Sequence, residues 1–226
     1  MKAIIALALS ALSLSPVAAA PADPLLVQIV AGARAVPPAS IAFERSVRTL
    51  AQEGAAAPET QLRTERWDGK VLTPLTVGGK PASAEDVARI RKAAAARPIA
   101  GYYRIADYLG GKARRVADAQ GRTVYRVEGL PKGSIDIGKD ISANLVAEAL
   151  VDTSGPVPFV SRLRIMLAKP LSFFLVAKLD TFEVVNEYKP GPGGRPALVR
   201  QTQSLAGAQL GKAGTTRTET IYTPTR

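Results

Sequence analysis

Apolar residues recur with two different periods along this chain. Behind Asp23-Pro24, Leu25, Leu26, Ile29, Val30 and Ala33 fall on one face of a helix. Asp23 is a capping residue, Pro24 suits the first helical position, and Pro37-Pro38 end the pattern. A second helix is predicted from Ser83. Asp86, three residues on, makes a capping box, and Val87, Ile90 and Ala94 form the stripe that Pro98 closes. Tyr102, Ile105, Ala106 and Leu109 carry a third, shorter helical pattern that Gly110-Gly111 terminate.

The remaining segments alternate with period two. From Ile41 to Leu50, Ile41, Phe43 and Val47 share one face, and Glu44, Ser46 and Arg48 share the other. Strands are predicted over 61–67 and 71–77 around Asp68-Gly69, and over 112–117 and 123–128 around Gln120-Gly121. Further strands follow over 145–152, 159–168, 171–188, 198–205 and 216–222. In 159–168, Phe159, Leu163, Ile165 and Leu167 face one way, and Arg162 and Arg164 face the other with Val160 and Met166. In 171–188, Leu171, Phe173, Leu175, Ala177 and Leu179 continue one face. A straight strand of that length would span about 60 Å, so it has to bend or break near Asp180-Thr181. Short connections between successive strands predict antiparallel pairing, and no strand–helix alternation runs through the second half. The expected fold is α+β: a long, coiled antiparallel sheet wrapped around about three short helices. Lys-Pro-Gly-Pro-Gly-Gly-Arg-Pro at 189–196 reads as a hairpin connection.

The first twenty residues have a different character. Met1-Lys2 precedes an apolar run from Ala3 to Leu14, Pro16 breaks it, and Ala18-Ala19-Ala20 supplies small residues. That layout is a secretory signal peptide, too short to span a membrane, with the mature chain starting near Pro21. Residues 21–226 then form a single domain. Export without any Cys fits a bacterial envelope, so the expected location is the periplasm. No later segment is long and apolar enough to span a membrane.

The chain holds 30 Lys and Arg against 19 Asp and Glu, a net charge of +11. Such a field favours anionic partners; outside the cytoplasm these are anionic lipid or an acidic envelope protein, not nucleic acid. With no His and no Cys, a Ser-His-Asp triad, a Cys-His pair, thiol redox chemistry and imidazole- or thiolate-bound zinc are excluded. No glycine-rich phosphate loop opens a helix, so no nucleotide cofactor is expected. Asp136 and Asp140 lack the ligand density of a calcium loop, and no metal is expected. A carboxylate pair or a Ser–Lys pair stays open only because such groups meet in the fold, and no catalytic residue is assigned. Trp67, the single tryptophan, reads as strand-end packing beside Asp68-Gly69.

The cleaved signal, the early helix, Ile41-Ala42-Phe43-Glu44-Arg45 as a first strand, Trp67-Asp68-Gly69, the 163–167 strand and a closing strand over 217–222 together resemble the LolA/LolB-like superfamily of envelope proteins. The resemblance implies a strongly curved half-barrel sheet covered by helices, and a non-catalytic carrier of a lipid or lipoprotein acyl chain. A concave apolar face needs filling, either by the helices or by a ligand. Its candidate lining is Phe43, Leu163, Ile165, Phe173 and Leu175. Two other readings stand beside the carrier: an envelope interaction module that docks an acidic partner, and a carboxylate- or Ser/Lys-dependent hydrolase.

Overall fold

The computed structural model describes residues 23–37, 42–95, 99–118, 120–173 and 177–225. The expected signal peptide and mature start near Pro21, together with Pro38, Ile41, Pro98 and Leu175, lie outside them.

Three helices form where the pattern placed them: α1 (Pro24–Arg34), α2 (Ala84–Ala95) and α3 (Arg104–Leu109). Asp23 caps α1 by accepting from Leu25 N at 3.0 Å, and Ile29, Val30 and Ala33 are buried. The capping box of α2 is made: Asp86 N donates to Ser83 Oγ at 3.1 Å and Ser83 N to Asp86 Oδ2 at 3.3 Å.

The strands are β1 (Phe43–Glu53), β2 (Glu59–Trp67), β3 (Leu72–Val77), β4 (Lys80–Pro81), β5 (Arg114–Ala117), β6 (Thr123–Glu128), β7 (Leu145–Asp152), β8 (Phe159–Leu167), β9 (Leu171–Phe173), β10 (Ala177–Pro190), β11 (Pro196–Gln209) and β12 (Lys212–Pro224). All pairings are antiparallel, in the order β4-β3-β2-β1-β12-β11-β10-β8-β7-β6-β5, with β9 on β10. The sheet is open, with short strands at both edges. Two meanders, β1–β4 and β5–β12, are fused where the first strand pairs with the last.

The sheet curves into a half-barrel. Tyr125 on β6 donates to Asp23 Oδ2 at 2.8 Å at the start of α1. At the other end of the same segment, Val36 shares a cleft with Phe43 of β1 and Tyr222 of β12. A flat sheet would separate β6 from β1 by about 29 Å, at about 4.8 Å per strand. Asp23 to Val36 spans only about 20 Å at helical rise. The concave face bends around α1 and α3, which pack on each other and on β8 and β6. Ile29, Ala33, Ile105 and Leu109 meet Tyr125, Ala147, Ala149, Leu163 and Ile165 there in one buried core. Helix α2 sits on the opposite, convex side of β3, where Arg91 donates to Thr73 Oγ1 at 3.2 Å. The rest of that side carries cross-strand ion pairs such as Arg126–Glu148, Arg164–Glu183, Arg200–Glu219 and Arg66–Glu44. These pairs keep the convex face wet and favour the observed register, each contributing little alone.

Three expectations change. Residues 171–188 are not one strand: the chain reverses, and Leu171 and Phe173 of β9 lie opposite Leu179 and Ala177 of β10. The irregularity expected near Asp180 is a register shift between Leu179 and Thr181. Val160 joins the concave face instead of the arginine face, because a shift beside Val151 lets Ser161 bulge. The last hairpin is longer than predicted. Its turn has Leu210 at φ 50° and Gly211 at φ 79°, a geometry usually announced by Asn-Gly or Asp-Gly.

Gly207 lies opposite the β10 bulge, and a Cβ there would stand 2.2 Å from the Lys178 carbonyl oxygen. Gly207→Ala is expected to cost about 2–3 kcal/mol in urea unfolding, while Gly32→Ala, in open space on α1, is neutral or stabilising. The Tyr125 hydroxyl, ahead of backbone amides and Arg115, holds the Asp23 carboxyl below its ordinary value of 3.8. The stability from this lowered carboxyl is present above that value and disappears as the pH falls through the lowered one. The Tm difference between the native chain and Asp23→Asn should therefore hold constant above about pH 5 and shrink in stronger acid.

Candidate functional site

The strands that cross the middle of the sheet carry an apolar concave face whose upper rim the helices leave partly open. Tyr102, just before α3, is fixed from two sides. Its ring packs edge-on against Tyr188 at 5.2 Å, and its hydroxyl accepts from Val160 N at 3.0 Å. Burial pushes that phenol up to about 12. Tyr103 donates to Ile99 O at 2.6 Å. Between this segment and the sheet lies a cleft of about 40 Å³. Its walls are Val36 and Pro37 after α1, Phe43 on β1, residues 100–103, Ala197 and Leu198 on β11, and Tyr222 and Pro224 on β12. That space admits a few small groups and falls far short of an acyl chain.

Phe43 and Tyr222 meet edge-to-face at 5.1 Å, with Tyr222 only 5% exposed. Burial raises the Tyr222 phenol pKa, and the nearby Arg45 charge offsets part of that rise. The Arg45 guanidinium sits 6.0 Å from the centre of the ring. Register explains the grouping: Arg45 lies opposite Tyr222 on one side and Glu65 on the other. Arg45 Nε reaches Glu65 Oε2 at 2.5 Å, and Arg63 Nε reaches Glu65 Oε1 at 2.7 Å. The side-chain exposures are 16% for Arg45, 1% for Glu65 and 38% for Arg63. Two guanidiniums share one buried carboxylate, which leaves the cluster one positive charge in excess. Nearby, Gln201 donates to Asn186 Oδ1 at 2.8 Å, so this part of the concave face is polar and ordered.

Of the sequence-predicted lining, Phe43 lines the cleft. Leu163 and Ile165 are enclosed in the core beneath the helices. Phe173 is half-buried against that core, with the Lys139 ammonium 5.3 Å from its ring centre, and Leu175 lies outside the described residues. The tyrosines, Leu198 and the Arg45–Glu65–Arg63 cluster were not foreseen. Sequence offered one signal for the cluster: Arg45 falls between Phe43 and Val47 on the inward face of β1. The oxygens of Asp140 are taken by Gly133 N, Ser142 N and Ser142 Oγ. Among the described residues no three Asp or Glu side chains gather as a metal site, and no helix is long and apolar enough to cross a membrane.

Comparison with known proteins returns no matching family model, no matching curated sequence and no matching solved structure.

Glu65→Gln would leave two guanidiniums without their carboxylate and is expected to destabilise the fold by about 3 kcal/mol. Arg63→Gln, at the half-exposed end of the cluster, should cost no more than about 1 kcal/mol. Urea unfolding of the two variants tests this ordering.

Proposed function

We propose that this chain is a non-catalytic binding or carrier protein for a hydrophobic ligand such as a lipid or an acyl chain, working in the periplasm. The observation that carries the reading is the apolar cleft where the helix layer meets the rim of β1, β11 and β12. A curved sheet holding helices against its hollow side is a scaffold whose cover can shift while the sheet stays intact. In the closed form the cleft is far smaller than an acyl chain, so loading requires the α1–α3 layer to lift from the sheet. The export signal at residues 1–20 and the LolA/LolB-like layout support the periplasmic location and the carrier role.

A second reading has its own observation. Leu163 and Ile165 are already covered by the protein's own helices, as in a plain core. The domain would then act as an envelope interaction module, its basic surface docking an acidic partner.

Fluorescent fatty-acid titration and native mass spectrometry separate the two. The carrier reading expects copurifying lipid and saturable binding, with affinity falling at least tenfold in Ala100→Trp, which fills the cleft from the segment before α3. Absence of both lipid and probe binding would overturn the carrier and leave the docking module.

A further inference from the structure

We infer that the rim of the concave sheet at Tyr222, Arg45 and Trp67 is a head-group subsite for an oxyanion, so that the hydrophobic ligand is an anionic single-chain amphiphile. The inference rests on the carrier reading and narrows it. Three observations converge on one stretch of β1 and its two neighbours. The Tyr222 hydroxyl is buried in a residue that lines the cleft; Arg45 is close enough to its oxygen to lower its pKa, but no acceptor among the described residues takes its proton. The Trp67 indole N–H, on the strand across β1 from Tyr222, is likewise buried without a partner. Buried polar groups left unpaired are rare in folded proteins, because each forfeits its hydration without replacement. Arg45 lies on β1 between the strands of these two donors and beside the cleft that Tyr222 lines, and it shares Glu65 with Arg63 further along β2, which leaves an excess positive charge.

The chemistry of the set is one-sided. An indole N–H only donates, a guanidinium only donates, and a phenol in these surroundings has its proton to give. Among the described residues no carboxylate beyond Glu65 pairs with Arg45 or Arg63. Such a cluster, positive in sum and rich in donors, is complementary to an acceptor carrying negative charge, a carboxylate or a phosphate monoester, and disfavours a cation. The walls beside it are Phe43, Leu198, Pro37 and Pro224, which suit the start of an alkyl tail. The cleft of about 40 Å³ is sized for a few head-group atoms and leaves the chain to the space opened by the helix layer. No bond is made or broken, and the ligand is held by charge, hydrogen bonds and apolar contact.

Trp67 is the sole tryptophan, so its emission reports the subsite directly. The experiment titrates the protein with palmitate, hexadecyl phosphate and hexadecanol, which share a chain length and differ in head group. The expected result is a shift in Trp67 emission and binding of one or both anions at least tenfold tighter than hexadecanol. The tighter of the two anions identifies the head group as carboxylate or phosphate. Tyr222→Phe and Arg45→Gln should each bring anion affinity to within about twofold of hexadecanol, whose own affinity is unchanged. Because Tyr222→Phe removes an unpaired buried hydroxyl, its ligand-free Tm should rise by about 2–4 °C. This keeps the test valid even if Arg45→Gln folds poorly. Equal binding of all three probes would overturn the head-group subsite while leaving the carrier intact. Binding of none would overturn both. A Tyr222→Phe chain that melts lower than the native one, or keeps the anion preference, would also overturn the subsite.

Discussion

Pairing of β1 with β12 along an unbroken register from Phe43↔Pro224 to Glu53↔Gly214 is the constraint on which the architecture rests. It joins the start of the domain to its end and turns two separate meanders into one sheet. Without it, β1–β4 would be a separate four-stranded meander with α2 on its convex side and its concave face bare. With it, the concave faces of both meanders become continuous, and Phe43 of β1 joins the core that α1 and α3 form with β6 and β8. The loop-closure cost of this contact is large in separation but grows only logarithmically with length.

The same register creates the chemically distinctive part of the molecule. Inward positions on β1 run Phe43, Arg45, Val47, and their neighbours on β12 run Pro224, Tyr222, Thr220. On β2 they face Trp67, Glu65 and Arg63. One strand thus carries an apolar ring, a cation and another apolar side chain in sequence, flanked by aromatics with polar tips. Tyr125 and Tyr102 have their hydroxyls engaged by Asp23 and Val160. Tyr222 and Trp67, by contrast, are buried with no acceptor for their donors among the described residues.

The convex side obeys a different rule. Its ladder of Arg–Glu pairs neutralises much of the local charge within the sheet. Surface pairs of this kind contribute little to stability, yet they oppose slippage, because a one-residue shift would place arginines among the core side chains. The tight turn at Leu210-Gly211 and the close approach at Gly207 fix the far end of the same sheet against the β10 bulge.

Sequence by itself determined the local elements. The Asp23-Pro24 and Ser83–Asp86 caps, the Asp68-Gly69 and Gln120-Gly121 turns, and the strands over 123–128, 145–152 and 163–167 are set over a few residues, and all appear in the structure. It also carried the antiparallel, curved α+β class, since short connections leave little other choice. Tertiary structure decided the rest. The antiparallel pairing of β9 with β10 and the inward turn of Val160, which follows a register shift beside Val151, are announced by no local pattern. Which apolar residues are core and which line a cleft depends on where α1 and α3 stop, so Leu163 and Phe43 looked alike until the cover was in place. The cluster of Arg45, Glu65, Arg63 and Tyr222 brings together residues as far apart in sequence as 45 and 222. Only the register of the first strand against the last sets their neighbourhood, and that register is a property of the whole sheet.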